Sequence, residues 1–210
     1  MKKVFILAEG ETEEKFVREM LKPYFTERNI LLIPIVLKGV SKYLIIKKEI
    51  DSLLKDSSAK LVTTMIDLYG SPIDMPQKSN ITKIVNCIEK VEFLENALST
   101  DVNHPKFLPY LQLHEFEALL FSDVSHFSIL SRNISELEKI ASQKEPEEIN
   151  DSPSTAPSKR IIKQIPKYEF SKPTNGIIVA KSIGLEKMRE KCPHFDNWLN
   201  QIESICNQEC

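Results

Sequence analysis

Acidic residues follow three apolar segments of this sequence, at the points where each segment gives way to a turn or a helix. In chain order they are Glu9, Glu13, Asp67, Glu115 and Glu117, and His114 directly precedes Glu115. Carboxylates that converge on one point repel one another and raise one another's pKa, unless a hard cation such as Mg²⁺ or Mn²⁺ lies between them. If the three segments meet in the fold, a divalent-metal site suited to phosphoryl chemistry is the simplest explanation.

The segments that must position these carboxylates have the pattern of buried strands. β-Branched and aromatic residues predict strands at 3–8, 30–37, 59–66 and 107–113. Between them, apolar residues recur at helical spacing, most strongly from Ile81 to Leu98 with an end expected near Thr100. Strands that alternate with helices indicate an α/β fold with a small, mostly parallel sheet flanked by helices. The carboxyl ends of such strands share one edge, so we expect the carboxylates to meet there.

Prolines and a change in composition set the expected boundaries. Pro23 is expected to end the first helix, and Pro34 to place the second strand at a sheet edge or in an irregular position. Beyond the fourth strand the sequence becomes polar and rich in proline, which favours helical turns and loops over further strands. We therefore divide the chain into an α/β domain at 1–123 and a mainly helical C-terminal part at 124–210 that packs on it. Further predictions are a loop at 38–41 and helices at 115–121, 158–165, 177–191 and 195–205.

Each carboxylate also has a structural explanation when it is considered alone. Glu13 lies in an acidic first helical turn, which the helix dipole favours without any catalytic role. Asp67 precedes a Gly-Ser-Pro turn, and Asp often stabilises such turns. One of Glu115 and Glu117 is expected to be a solvated or capping residue. Glu9 is as consistent with a satisfied charge at a strand end as with a metal ligand.

A second group of residues could hold phosphate. Ser158, Lys159 and Arg160 open a predicted helix, and a helix N-terminus with a hydroxyl group and cations can bind phosphate oxygens. The alternative is a solvated amphipathic face. The four histidines have no spacing typical of a zinc site, and the sequence contains no GxGxxG, GxxxxGK[ST] or GxSxG motif.

Composition limits the classes of partner. The 28 Lys and Arg residues nearly balance the 30 Asp and Glu residues, for a net charge of −2 over 210 residues. The chain therefore lacks the overall basic character that drives non-specific nucleic-acid binding, and nucleic acid would have to be held locally or through bound cations. Four cysteines without a CxxC pair favour free thiols in the cytoplasm. No segment is long and apolar enough to predict a membrane span.

Several blocks of the sequence resemble a known bacterial family. The run VFILAEGETE at 4–13 is similar to the opening of TOPRIM-like proteins, including the OLD-type nucleases. The whole chain resembles the bacterial domain-of-unknown-function family 4276. The blocks that carry this second resemblance lie at 63–70, 109–121, 146–150, 155–160 and 192–198, so they span nearly the entire sequence.

The resemblance implies a TOPRIM-type fold that binds divalent metal through a Glu after the first strand and an Asp-x-Asp motif after a later one. Glu9 matches the Glu and Asp67 matches the first Asp, whereas Tyr69 replaces the second. Since Tyr is a poor Mg²⁺ ligand, one of the other three carboxylates would have to supply the missing oxygens.

The same resemblance implies a function. TOPRIM-like relatives commonly work beside an ATPase in defence against phage or foreign DNA. The leading hypothesis is a Mg²⁺- or Mn²⁺-dependent nuclease in which Glu9 and Asp67 hold the metal and Lys159 and Arg160 hold backbone phosphate. The alternative is a non-catalytic subunit that senses nucleic acid, a nucleotide or a partner ATPase, and the replacement at Tyr69 favours it.

Overall fold

The computed structural model describes residues 1–37, 42–150 and 152–208 of the chain, with the predicted loop at 38–41 outside them. The described residues form five parallel strands, in the spatial order β2-β1-β3-β4, with β5 also paired to β3. The strands are β1 (Lys2–Ala8), β2 (Ile30–Val36), β3 (Ala59–Asp67), β4 (Phe107–Leu108) and β5 (Leu111–Gln112). The predicted α/β class and parallel sheet are therefore confirmed.

Nine α-helices surround this sheet in the described part of the chain. They are α1 (Glu11–Phe16), α2 (Lys22–Thr26), α3 (Tyr43–Leu54), α4 (Cys87–Val102), α5 (Ser135–Ala141), α6 (Pro157–Gln164), α7 (Lys172–Ile183), α8 (Leu185–Lys191) and α9 (Pro193–Asn207). Shorter 3₁₀ turns, including Phe116–Ser122, Pro146–Glu148 and Pro166–Ser171, connect them. None of the helices formed by these residues is long and apolar enough to cross a membrane.

The sheet separates two apolar cores because successive strand residues point to opposite faces. Val4 and Ile6 of β1 pack with α1, α2 and the helices after α4, whereas Phe5 and Leu7 pack with α3 and α4. The first core includes Trp198 of α9, whose Nε1 donates a hydrogen bond to Thr63 Oγ1 on β3 (2.9 Å). The C-terminal helices thus cover one face of the sheet.

The first helical segment continues through Pro23, so the prediction that this proline ends it is wrong. A π-helical turn, Val17–Leu21, joins α1 to α2, and the Lys22 N–H bonds the Val17 carbonyl. This shift by one residue lets the chain remain helical although Pro23 has no N–H to donate. Pro34 does lie on an edge strand, as expected, because β2 pairs only with β1 in the described sheet.

Two other boundaries differ from the sequence pattern. α4 begins at Cys87 and not at Ile81, because Asn86 Oδ1 accepts the N–H groups of Ile88 (2.8 Å) and Glu89 (3.1 Å) and starts the helix there. The predicted fourth strand is split into β4 and β5. Between β4 and β5, side-chain hydrogen bonds from β3 stand in for the backbone ladder. Thr64 Oγ1 accepts the N–H of Tyr110 (2.9 Å) and donates to the Tyr110 carbonyl (2.8 Å).

Three cysteines of the described chain, Cys87, Cys192 and Cys206, are free thiols, and Cys210 lies outside it. Cys192 and Cys206 are buried. Burial raises the pKa of the Cys192 thiol, so this side chain behaves as a small apolar group.

Candidate metal site at the carboxyl edge of the sheet

Glu9 and Asp67 face each other across neighbouring strands. The Glu9 N–H continues the β1–β3 ladder by donating to the Met65 carbonyl (3.1 Å). The Glu9 Oε2 atom accepts the Asp67 N–H at 2.8 Å. Parallel pairing of β1 and β3 therefore brings together two residues that are 58 positions apart, at the edge where both strands end.

Gly70 packs directly on the Glu9 carboxylate. A Cβ atom at position 70 would overlap both Glu9 carboxylate oxygens. The turn after β3 is closed by a hydrogen bond from the Ser71 N–H to the Asp67 carbonyl (2.9 Å). The absence of a side chain at Gly70 thus allows the turn to lie against Glu9 and hold it beside Asp67.

Asp67 is the least satisfied carboxylate of the group. Its Oδ1 atom is buried and has no hydrogen-bond partner among the residues that the structure describes. Burial and the negative charges of four surrounding carboxylates raise its pKa well above the ordinary value; in order of effect these are Glu13, Glu9, Glu117 and Glu115. We call these five residues the acid cluster. The predicted convergence of carboxylates from three segments is therefore observed.

Glu13 both caps a helix and contributes charge to the acid cluster. Its Oε2 atom accepts the N–H of Gly10 at 2.9 Å, which is the Glu half of a capping box at the start of α1. Burial and, to a smaller extent, the charge of Glu9 raise the pKa of Glu13 to about 6, although backbone hydrogen bonds oppose the shift. The capping interpretation is thus correct for Glu13 but incomplete.

Glu115 and Glu117 have different environments. Glu115 Oε2 accepts the N–H of Ser158 at 2.9 Å, so Glu115 is the capping residue expected of this pair. Glu117 is buried, and burial raises its pKa to about 7. Tyr168 donates its hydroxyl hydrogen to Glu117 Oε1 (3.4 Å), and Lys172 Nζ lies 3.9 Å from the same oxygen.

The predicted phosphate-binding residues surround the start of α6. The Ser158 N–H is engaged by Glu115, while the Ser158 hydroxyl is buried and has no hydrogen-bond partner in the described chain. Arg160 Nε donates to the Thr155 carbonyl at 2.7 Å, and Lys159 is exposed. The N-terminus of α6 therefore already faces a carboxylate, and Lys159 is the most accessible cation of the predicted set.

Tyr69 and His114 form a stacked pair beside the acid cluster. Their ring centroids are 5.8 Å apart with an interplanar angle of 28°. The Tyr69 N–H donates to the His114 carbonyl (3.3 Å), and His114 Nε2 lies 2.9 Å from the Glu147 carbonyl. His114 has a positive φ of 64°, which turns the chain away from β5 before Glu115. Tyr69, expected from the sequence resemblance to replace the second Asp of a metal motif, is thus part of an aromatic pair.

The family comparison covers nearly all of the residues just described. The model of the family "Domain of unknown function (DUF4276)" matches residues 8–203. The chain belongs to the DUF4276 family. No curated protein and no solved structure matches it.

Two residues of the site in this DUF4276 chain were missed by sequence reasoning. Tyr168 and Lys172 reach Glu117 from the segment before α7 and from its first residue. Gly176, one turn further along α7, leaves space for Tyr168, because a Cβ there would come within 3.0 Å of the Tyr168 hydroxyl oxygen. A single Lys and a single Tyr in a polar region carry no motif, so only the tertiary packing identifies them.

The available carboxylates fit a cation held by only one or two protein ligands better than a cation held by protein ligands alone. Across 1–37, 42–150 and 152–208, no group of three or more His, Cys, Asp or Glu side chains is arranged to hold a metal ion. Mg²⁺, however, is commonly held by one or two carboxylates together with waters and substrate phosphate oxygens. The buried, unpartnered Asp67 Oδ1 and the neighbouring Glu9 carboxylate meet this smaller requirement.

Proposed function

We propose that this DUF4276 protein is a divalent-metal-dependent nuclease of TOPRIM-like type that hydrolyses phosphodiester bonds. The supporting observation is the acid cluster, where the buried Asp67 Oδ1 has no donor among the described residues, and burial and like charges raise the pKa of Asp67. Carboxylates left in this state are typical of functional sites, because a structural site would supply donors. Glu9 and Asp67 would hold Mg²⁺ or Mn²⁺, which when bound stabilises charge on phosphate oxygens and activates water.

The chain's own residues would then orient the substrate and exchange protons. The Asp67 N–H holds Glu9 in place at 2.8 Å. Glu117, with a pKa of about 7, and Glu13, with a pKa of about 6, can each hold or release a proton near neutral pH. Lys172 offsets part of the negative charge, and Lys159 with Arg160 would bind backbone phosphate.

The test is cleavage of DNA and RNA, single- and double-stranded, in Mg²⁺ or Mn²⁺. Glu9→Gln and Asp67→Asn should each lower the cleavage rate by at least about 100-fold, because each removes a charged metal ligand. Glu136→Gln, an exposed residue of α5, is the matched control and should cleave normally. Glu9→Gln and Asp67→Asn should also lose any increase in melting temperature that Mn²⁺ causes in the wild-type protein. Full cleavage by both site variants would exclude the proposed centre.

A second candidate function is favoured by Tyr69. Because an aromatic side chain stands where the motif has its second Asp, the protein could instead be a binding subunit that senses nucleic acid or a nucleotide within an ATPase-containing complex. This alternative predicts stabilisation by nucleic acid or by a partner ATPase, but no melting shift with Mn²⁺ and no cleavage. Under either candidate, we propose a role in defence against phage or foreign DNA, and a neighbouring ATPase gene is the first partner to test.

A further inference from the structure

A groove is lined by residues that directly follow Asp67 in the chain. Its volume is about 590 Å³, and Leu68 and Tyr69, the two residues after Asp67, line it. Ile84 and Val85, from the segment before α4, line it as well. We call this cavity the Tyr69 groove. It lies within the size range of small-molecule sites in proteins, and two of its lining residues, Leu68 and His114, are the chain neighbours of Asp67 and Glu115.

The walls of the Tyr69 groove offer flat and apolar surfaces. The Tyr69 ring stacks on His114, yet 38 % of the residue remains exposed. Val85 is 94 % exposed, and its side chain contributes no packing that the fold requires. The extended Ile84 and the cap at Asn86 hold this segment out of α4, so the apolar residues of the helical pattern line the groove instead.

A fixed polar group also lines the groove. Asn150 Oδ1 accepts the N–H of Ser152 and the hydroxyl of Thr155, both at 2.9 Å, so the orientation of the amide is determined. Asn150 is buried, and its Nδ2 has no hydrogen-bond partner in the described part of the chain. A donor of this kind needs an acceptor, and nucleobase edges carry carbonyl and ring-nitrogen acceptors.

Two lysines give the groove positive charge. Lys78 and Lys90 both line it. Lys78 Nζ is anchored by the Leu68 carbonyl (2.7 Å) and by the Ser71 hydroxyl, which places its charge beside the turn after Asp67. An aromatic wall next to cations is the combination that binds bases and backbone phosphates of unpaired nucleic acid.

We propose that the Tyr69 groove holds one unpaired base of the nucleic acid whose backbone lies at Asp67, so that the substrate is single-stranded. A base within a duplex is stacked on its neighbours and would have to be unstacked to enter. This inference rests on the proposed function, because it places the base next to the phosphodiester at the acid cluster.

The test is equilibrium binding of fluorescein-labelled 12-mers of thymidylate, of uridylate and of a mixed-sequence duplex, with Ca²⁺ as the divalent cation and the recovered strands checked on a gel for cleavage. The single strands should bind at least about tenfold more tightly than the duplex. Tyr69→Ala should weaken single-strand binding about tenfold, in line with the loss of one aromatic stack, and Tyr69→Phe should restore it. Val85→Asp should also weaken binding, by placing a negative charge in the groove.

The matched control is Ile129→Asp, which alters an exposed apolar residue that does not line the groove and should leave binding unchanged. Equal affinity for duplex and single strand, or wild-type binding by both Tyr69→Ala and Val85→Asp, would overturn the groove assignment. The two proposals fail separately. Binding that depends on Tyr69 without metal-dependent cleavage contradicts the nuclease and supports the groove, whereas cleavage lost in Glu9→Gln but unaffected in the groove variants contradicts only the groove.

Discussion

Two groups of carboxylates in the described chain, each containing buried and half-buried members, have different hydrogen-bond partners. Glu147 accepts the N–H groups of His194 and Phe195 at the start of α9, each at 3.0 Å. Glu95 accepts the Leu111 N–H (2.7 Å) and contacts the His194 ring, with a shortest distance of 3.1 Å. We call Glu95, Glu147 and His194 the Glu147 network. In the acid cluster, by contrast, Asp67 Oδ1 has no donor in the described chain.

The difference teaches that burial of a carboxylate is not by itself a sign of function. The Glu147 network shows how this fold stabilises buried acid when the role is structural, with backbone N–H groups and an imidazole as donors. In the acid cluster, the countercharge is Lys172, whose Nζ lies 3.9 Å from Glu117 Oε1. Among the described residues, Asp67 Oδ1 is the buried oxygen of the acid cluster left without a donor, and we propose that a bound cation supplies the charge there.

The largest expected effect is a loss of stability when the Glu147 network is disrupted. Glu147→Ala removes the acceptor of two buried N–H groups at the start of α9, which should lower the free energy of unfolding by about 3 kcal/mol. Urea denaturation measures this change. Glu148→Ala, at the exposed neighbouring position, is the control and should change stability by less than about 0.5 kcal/mol. A similar small effect for Glu147→Ala would mean that the network is not structural.

The second prediction concerns pH. The pKa of Glu117 rises from 4.5 to about 7 on folding, so between these values the folded protein keeps a proton that the unfolded chain has lost. Metal-free stability should therefore fall as pH rises from about 4.5 to about 7, by about 3 kcal/mol from this residue. Glu117→Gln should flatten the profile measured in EDTA. A profile that stays equally steep in that variant would contradict the assignment.

The third prediction is a substitution that increases stability, whereas most substitutions decrease it. Asp67→Asn removes a carboxyl group whose ionisation is opposed by burial and by neighbouring charges, so the EDTA-treated protein should become more stable by about 1 kcal/mol. For a chain of this size the melting temperature should rise by about 2–4 °C. The exposed Asp51 provides the control, since Asp51→Asn should leave the melting temperature unchanged. A clear decrease for Asp67→Asn would indicate that its carboxylate is a stabilising structural group.

The smallest effect concerns His194. Although burial opposes it, the contacts with Glu95 raise the pKa of His194 above 6.5. The ionic contribution is therefore fully present below pH 6.5 and lost as pH rises through the folded-state pKa. His194→Gln should cost about 1 kcal/mol more at pH 5.5 than at pH 9, as measured by urea denaturation. An equal cost at both pH values would show that the ring contributes through packing alone.

The site was predictable where it follows from sheet geometry. Apolar runs located the strands, and the rule that parallel strands end at one edge placed Glu9, Asp67 and Glu115 together. Pro34 identified the edge strand because a missing N–H is tolerated there. These inferences depend on local composition and on one general property of parallel sheets, so a single sequence was sufficient.

The remaining features depend on contacts that local patterns do not encode. Apolar residues at helical spacing run from Ile81 into α4, and they predicted one continuous helix. The hydrogen bonds from Asn86 start the helix only at Cys87, so Ile84 and Val85 lie outside it and line a groove. Pro23 was compatible with a helix because a π turn shifted the hydrogen bonding. Lys172 reached the acid cluster through the packing of α7, which the sequence does not specify on its own.

Gly70 makes a useful inactive protein possible. Adding one methyl group at this position forces the Glu9 carboxylate to move, since its oxygens occupy the space that the methyl group needs. Under the proposed function, Gly70→Ala would therefore disable the centre sterically while the net charge stays at −2. Such a form would keep every charged group of the wild-type chain, which makes it a suitable bait for capturing uncleaved substrate.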